Sequence, residues 1–143
     1  MNKTAIIYWS GTGNTEAMAL AVAEGAKSVN PDAVCFTVSE ISAQNAAEYD
    51  TLILGCPAMG AEVLEEDEFE PFFADLESNL GGKNVALFGS YGWGDGEWMR
   101  SWEQRVTDAG AQLIGGEGLI INDAPDDDGL AQCRELGKTA ASV

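Results

Sequence analysis

The stretch "TAIIYWSGTGNT", residues 4–15, joins an apolar run to a loop of glycines, hydroxyl residues and one asparagine. The apolar half is typical of a buried strand, and the alanine-rich stretch that follows the loop is typical of a helix. Where a strand leads into a helix through such a loop, backbone N–H groups and the helix dipole converge and favour an anion. The loop contains no lysine or arginine. It therefore predicts a phosphate group that is held by neutral donors.

Known phosphate-binding loops do not match this one. A Walker A loop requires a Lys-Ser/Thr pair, where this chain has Asn14-Thr15, and a dinucleotide loop requires a small third glycine, where it has Glu16. A receiver domain would have acidic residues in place of Trp9-Ser10. A small phosphate monoester remains, bound by hydroxyls and by backbone that glycines allow to approach closely. The alternative is an ordinary glycine-rich turn in which Asn14 or Thr15 caps the helix.

Apolar runs and helical patterns alternate along the whole chain. The runs suited to strands are residues 4–9, 33–38, 51–56, 84–89 and 112–121, the last of which contains "GGEG" and is expected to bend or split. The residues that share a helix face are Met18, Ala21, Val22 and Gly25; Phe69, Phe72, Phe73, Leu76 and Leu80; Met99, Trp102, Val106 and Ala109; and Leu130, Cys133, Leu136 and Ala140. The helix between the second and third strands has the weakest pattern. Pro71 suits a first helical turn, and Gly110 suits a helix end.

This alternation predicts one α/β domain over residues 1–143, a parallel sheet with helices on both faces. Five strands fit either the order 2-1-3-4-5 or half of a Rossmann sheet. In both, ligands bind beyond the carboxyl ends of the strands.

Composition excludes several classes of function. The formal net charge of −17 disfavours nucleic acid and anionic membrane as partners, and it favours a basic protein partner. The chain has no histidine, and its three cysteines form no C-x-x-C, so neither a metal site nor an iron–sulfur cluster is expected. No apolar run is long enough to span a bilayer, and no signal-peptide pattern is visible, which predicts a cytoplasmic protein.

Two further loops follow strands three and four, "GCPAMGAEV" at residues 55–63 and "GSYGWGDGEW" at residues 89–98. They present Met59, Tyr91 and Trp93 among glycines. A methionine and a tryptophan across a slot would hold a flat ring between them. The alternative for Trp93 is a surface residue that covers a loop, whereas Trp98 and Trp102 have helical spacing and are expected to pack in the core. A phosphate and a planar ring together indicate a nucleotide-like cofactor.

The segments "YWSGTGNTE", "LILGCPAMG" with "EFEPFF", and "LFGSYGWGDGEWM" resemble those of the flavodoxin family, in particular its short-chain type from anaerobic bacteria. The resemblance covers the whole chain. It implies the flavodoxin-like doubly wound five-stranded parallel sheet in the order 2-1-3-4-5. It also implies one non-covalently bound FMN and a low-potential one-electron carrier that shuttles between semiquinone and hydroquinone. No metal and no catalytic residue are implied.

The resemblance also implies roles for particular residues. Met59 and Trp93 would flank the flavin ring. The Gly60 peptide would reorient, so that its carbonyl accepts the N5–H of the semiquinone, and Glu62 would accept from N3–H. Asn122 or Asp123 would contact the ribityl chain, with the register between them left open. The implied cofactor-binding residues are Ser10, Gly11, Thr12, Gly13, Asn14, Thr15, Pro57, Ala58, Met59, Gly60, Ala61, Glu62, Ser90, Tyr91, Gly92, Trp93, Gly94 and Asn122.

A cation-free loop suits a strong electron donor, because negative charge beside the flavin opposes its second reduction. The acids Glu65, Glu66, Asp67 and Glu68 are expected to form a rim near the flavin edge. They would orient a basic docking face on a redox enzyme of hydrogenase, oxidoreductase or reductase type, with the carrier as a monomer. Two alternatives remain: an FMN-dependent NAD(P)H or quinone reductase of the same fold, and a non-redox binding module that has lost FMN.

Overall fold

The computed structural model describes residues 3–143, in which strands and helices alternate. The strands are β1 (Thr4–Tyr8), β2 (Val34–Thr37), β3 (Thr51–Gly55), β4 (Asn84–Tyr91), β5 (Gln112–Leu113) and β6 (Leu119–Asn122). The helices are α1 (Asn14–Val29), α2 (Ala43–Ala46), α3 (Phe69–Glu77), α4 (Glu97–Asp108) and α5 (Asp127–Ala141). The weakly patterned segment before β3 forms only the single turn α2. No helix in this described part is both long and apolar enough to cross a bilayer.

The sheet is parallel and has the order β2-β1-β3-β4-β5, as predicted. The fifth strand is split, also as predicted, so residues 3–143 contribute six strands to the sheet rather than five. β5 pairs with the first residues of β4, and β6 pairs with its last four. Gly115 and Gly116, between them, have φ angles of 79° and 78°. Residues with a side chain rarely adopt this left-handed conformation, so "GGEG" is where the chain can leave the sheet and return.

Helices cover both faces of the sheet because successive strand residues point to opposite sides. In β1, Ile6 faces α1 and α5, and Ile7 faces α3 and α4. The predicted face of α1, formed by Met18, Ala21, Val22 and Gly25, is wholly buried. Leu80 is buried but follows α3, Ala109 is the residue after α4, and Leu130 and Leu136 of α5 are only half-buried.

Two glycines allow α1 and α5 to pack closely. A Cβ atom on Gly25 would overlap the Arg134 carbonyl, and one on Gly137 would overlap the Val22 carbonyl. Only the absence of a side chain permits this approach. The contact fixes α1 against the sheet and therefore fixes the loop from which α1 begins.

The helix ends agree only in part with the sequence. Pro71 lies in the first turn of α3, and Gly110, with a φ angle of 88°, follows α4, both as predicted. The prediction that Asn14 or Thr15 caps α1 is wrong. Gly13 holds the cap position with a φ angle of 98°, and both predicted caps lie inside the first turn. Glycine adopts this left-handed conformation without strain, so it is suited to the cap position.

Candidate functional site

Four loops meet at the carboxyl edge of the sheet and enclose a cavity of about 280 Å³. They follow β1, β3, β4 and β6. Nine of the predicted cofactor residues line the cavity: Gly11, Thr12, Asn14, Pro57, Ala58, Met59, Ser90, Tyr91 and Gly92. Trp9 and Asp123 line it too, although neither was among them. Its volume lies just below the range that is usual for small-molecule sites.

The loop after β1 is organised by the hydroxyl of Ser10. Its Oγ accepts the N–H groups of Gly13 at 3.2 Å and Glu16 at 3.1 Å. The N–H groups of Asn14 and Thr15 belong to the first turn of α1 and therefore have no intrahelical acceptor. No lysine or arginine of residues 3–143 lines the cavity. The loop thus presents neutral donors at a helix N-terminus, which suits a phosphate.

Thr15 and Ser90 connect this loop to the two others. Their hydroxyl oxygens lie 2.9 Å apart, and the Ser90 N–H donates to Thr15 Oγ1 at 3.3 Å. The Ser90 carbonyl accepts the N–H of Ala58 at 3.0 Å. Both hydroxyl side chains are buried. The Thr15 hydroxyl, expected to face a phosphate, therefore contacts Ser90 in this structure.

The loop after β3 forms a tight turn. Met59 and Val63 exchange two backbone hydrogen bonds, of 2.9 Å and 3.1 Å. Within the turn, Gly60 and Glu62 have φ angles of 42° and 60°. A Cβ atom on Gly60 would meet nothing within 4 Å. Glycine is therefore favoured here by the backbone conformation, not by lack of space.

Glu62 has a role in this structure that the sequence did not indicate. Its Oε2 accepts the Trp98 N–H at 2.9 Å, so the carboxylate caps the start of α4. A Cβ atom on Gly94 would overlap Glu62 Oε1, which explains why glycine stands beside it. The charge is stabilised there by the positive end of the helix dipole. Sequence patterns could not reveal this contact, because the two residues are 36 positions apart.

The aromatic residues divide into a buried and an exposed group. Trp98 and Trp102 are buried in the core, as predicted, and Trp98 Nε1 donates to the Cys56 carbonyl at 3.1 Å. Trp93 is 69% exposed, while Met59 is half-buried. Neither Trp93 nor Gly94 lines the cavity. Trp93 is available to cover a flat ligand, but it is not already packed over the slot.

Asn122, the last residue of β6, and Asp123, which follows it, have different surroundings. Asn122 donates its side-chain amide to the carbonyls of Tyr91 at 3.1 Å and Gly92 at 3.3 Å, and so holds the loop after β4. Asp123 has a φ angle of 56° and lines the cavity. Of the two, Asp123 is therefore the one that faces the cavity in this structure.

A sequence model of the family described as flavodoxin matches residues 6–137. The chain belongs to the flavodoxin family. The flavodoxin of Megasphaera elsdenii is 49% identical over 138 residues, which cover 96% of this chain and 98% of the relative. The flavodoxin of Clostridium beijerinckii is 47% identical over 138 residues, which cover 96% of this chain and 99% of the relative. The chain is an FMN-binding electron carrier and not an enzyme, and nothing supports the reductase alternative.

Solved flavodoxin structures have the same fold. The solution structure of the two-electron reduced M. elsdenii flavodoxin superimposes with a TM-score of 0.87 at 48% identity, over 98% of this chain and 99% of that one. A flavodoxin from the domain Archaea superimposes equally well, with a TM-score of 0.87 at 28% identity, over 98% of this chain and 96% of that one. The predicted strand order and cofactor class are thereby confirmed.

The site of this flavodoxin-family chain fits FMN in its chemistry. The neutral donors after β1 suit the phosphate, and the apolar slot between Ala58, Met59 and Tyr91 suits the ring. The Asp123 carboxylate suits the hydroxyl groups of the ribityl chain. Ser10, Gly13, Thr15, Gly60, Ala61, Glu62 and Asn122 do not line the cavity, but all belong to the loops that enclose it.

The predicted acidic rim requires one correction. Glu65 is only 5% exposed, and its carboxylate accepts the N–H groups of Asp67, Glu68 and Phe69, each at 2.8 Å. Burial alone would raise the pKa of Glu65, but the three N–H bonds outweigh it and lower the pKa. Glu65 therefore stabilises the start of α3, whereas Glu66, Asp67 and Glu68 are exposed.

The cysteines do not belong to this site's chemistry. All three are free thiols, with Cys56 and Cys133 buried and Cys35 half-buried. Burial raises the pKa of Cys133 to about 11 and raises that of Cys56 further. A thiol with a raised pKa is a poor nucleophile near neutral pH.

Proposed function

We propose that the chain is a low-potential one-electron carrier whose loop after β1 holds the FMN phosphate without a countercharge. The observation that carries this proposal is a phosphate cradle at the start of α1 with no lysine or arginine in the cavity lining of the described residues. Arg100, which lies in the first turn of α4, is paired with Asp95 at 3.2 Å and Glu97 at 2.8 Å. It therefore offers no free cation to the site.

The proposed roles follow from where each group lies. N–H groups of the first turn of α1 and the Thr12 hydroxyl would bind the phosphate, and Met59 and Trp93 would enclose the ring. Asp123 would contact the ribityl chain. Bound FMN supplies the capacity to accept and release single electrons. The protein keeps the surroundings anionic, which makes the cofactor harder to reduce and the reduced carrier a stronger donor.

The phosphate assignment is tested by comparing FMN with riboflavin, which lacks the phosphate. We expect Thr12→Ala to weaken FMN binding about ten- to a hundredfold, since a hydrogen bond to a charged group contributes about 1.5–3 kcal/mol. Riboflavin binding should not change. Thr107→Ala, an exposed substitution in α4, is the matched control. Equal losses for both ligands would show that Thr12 does not bind the phosphate.

The partner is proposed to be a redox enzyme with a basic docking face, of hydrogenase, oxidoreductase or reductase type. The net charge of −17 and the exposed Glu66, Asp67 and Glu68 support this. Such charges attract over a range of about 8 Å at physiological salt. Added salt should therefore slow electron transfer to the partner.

A charge-matched pair of variants locates the docking face. Glu66→Gln/Asp67→Asn should slow electron transfer more than Asp32→Asn/Glu48→Gln, whose sites precede β2 and β3 at the opposite edge of the sheet. Equal rate losses would mean that only the total charge matters.

We further propose that residues 1–143 form one domain, which acts as a monomer in the cytoplasm. Strands from β1 to β6 share one sheet, which supports a single folding unit. Three free thiols suit a reducing compartment. Light scattering and a single cooperative unfolding transition of the FMN-loaded protein test the oligomeric state and the domain.

A further inference from the structure

Trp98, in the first turn of α4, holds both ends of the loop after β3. Its indole Nε1–H donates to the Cys56 carbonyl at 3.1 Å, and its backbone N–H donates to Glu62 Oε2 at 2.9 Å. The segment between these two contacts, residues 56–62, carries Met59 and Gly60, and we call it the ring loop. One buried residue therefore fastens the whole ring loop to α4.

The same indole packs against the residues of β4 that form the other side of the slot. The rings of Trp98 and Tyr91 have centroids 5.8 Å apart and are tilted by 45°. A Cβ atom on Gly89 would lie 3.1 Å from Trp98 Cζ2 and would overlap the Cys56 carbonyl. Glycine at this position therefore lets the indole reach that carbonyl. Trp98 thus contacts residues on both sides of the slot.

The indole bond replaces a backbone bond between β3 and β4. The Cys56 N–H donates to the Phe88 carbonyl at 3.1 Å, and the Ala58 N–H donates to the Ser90 carbonyl at 3.0 Å. A regular parallel ladder in this register would pair the Ser90 N–H with the Cys56 carbonyl. Here the Ser90 N–H donates to Thr15 Oγ1 at 3.3 Å, and the Cys56 carbonyl accepts from the indole. Because a buried carbonyl without a partner is costly, the indole fixes how the ring loop leaves the sheet.

Trp102, on the same helix, shows that packing alone does not require such a bond. Both tryptophans are 1% exposed. Trp102 packs edge-on against Phe69 and Phe73, and its Nε1 has no hydrogen-bond partner within residues 3–143. The bond from Trp98 therefore adds something to core packing that Trp102 does not.

We propose that Trp98 is a positioning residue of the FMN site, which holds the ring loop at the separation from Tyr91 that a flat ring requires. The inference deepens the proposed function, since it rests on the ring lying between these two walls. Trp98 does not line the cavity. It acts through the Cys56 carbonyl and the Glu62 carboxylate.

Trp98→Phe tests this role, because it removes the indole N–H and keeps an aromatic ring. FMN and riboflavin should both bind about tenfold more weakly, since both carry the ring and the Cys56 carbonyl loses its donor. Trp102→Phe makes the same change at equal burial, where no bond is lost, and should leave both affinities unchanged. Equal losses in the two variants would overturn the proposal, and so would a loss for FMN alone, which would place the effect in the phosphate loop.

Trp98→His separates positioning from packing. The imidazole Nε2–H occupies the same ring position as the indole Nε1–H, but histidine buries less apolar surface. At about pH 8, where histidine is neutral, this variant should be less stable than Trp98→Phe in urea unfolding and yet bind riboflavin more tightly. Weaker binding than in Trp98→Phe would show that affinity merely follows stability, and would overturn the proposal.

NMR of the unaltered FMN-loaded protein provides a test that needs no variant to fold. A scalar coupling across the hydrogen bond should connect Trp98 Nε1 to the carbonyl carbon of Cys56, and its absence would overturn the proposal. Failure here is distinct from failure of the carrier function. Unchanged flavin binding in Trp98→Phe, together with two separate one-electron reduction steps, would leave the proposed function intact and remove only the positioning role.

Discussion

Replacing Glu65 with glutamine tests whether this buried carboxylate holds the start of α3. Its Oε1 accepts from Glu68 and Phe69, and its Oε2 accepts from Asp67, all at 2.8 Å. Glutamine has one acceptor oxygen, so one charge-assisted bond is lost and the other two become neutral. Such a bond contributes about 1.5–3 kcal/mol when charged and about 1 kcal/mol when neutral, so we expect the free energy of unfolding to fall by at least about 2.5 kcal/mol.

Urea unfolding of the FMN-loaded protein at pH 7, with FMN in fixed excess, measures this loss. The matched control is Glu66→Gln, which makes the same charge change at an exposed neighbour. The control should change the free energy of unfolding by less than about 0.5 kcal/mol. If Glu65→Gln is equally harmless, the three N–H bonds do not stabilise α3 as argued.

The same pair of proteins has a defined pH dependence. The folded-state pKa of Glu65 lies below its unfolded value. The stability that this carboxylate contributes is therefore fully present above the unfolded pKa of about 4.3, and it is lost as pH falls through the folded pKa. The advantage of the wild type over Glu65→Gln should shrink in acid. An advantage that stays constant down to pH 2 would contradict the assignment.

Three further substitutions test the site and its supports. Thr12→Lys, with FMN bound, should raise the potential of the more negative one-electron step by about 50 mV, since the added cation attracts the electron; potentiometry that finds no change would count against the electrostatic argument. Gly94→Ala should destabilise the protein by about 1 kcal/mol more than Gly82→Ala in urea unfolding, because both glycines have positive φ but only the first adjoins Glu62, whose carboxylate would have to move aside and release the Trp98 N–H. Gly137→Ala should lower stability by about 2 kcal/mol, despite the helix propensity of alanine, because its Cβ meets the backbone of α1; a stabilised variant would refute this close packing.

Local patterns were sufficient to predict the fold class, but not the order of the strands. Apolar runs that suit buried parallel strands alternate with helical stripes, and the order of the sheet followed once the motifs indicated the family. Even the split of the fifth strand was visible, because Gly115 and Gly116 can adopt backbone conformations that other residues avoid. The number of strands was wrong only because the split produces two short strands where one was counted.

Contacts between distant loops could not be predicted in the same way. Thr15 and Ser90 are 75 positions apart, and each looks like an independent ligand-binding hydroxyl until the fold brings them together. Glu65 stands within an acidic run, and nothing local distinguishes a buried cap from its exposed neighbours. Trp9 was placed at the end of the first strand, and Asp123 was one of two candidates for the ribityl contact. Which side chain faces the cavity depends on the end of each strand, where patterns are least informative.

Stepwise reduction of the FMN-loaded protein, with the two one-electron potentials measured by potentiometry and EPR, tests the central claim most directly. The account predicts two separate steps, the second markedly more negative, and an EPR signal that is strongest at half reduction. A single two-electron step without an EPR signal would contradict a one-electron carrier, and with it the argument that the cation-free phosphate loop serves to make a strong donor.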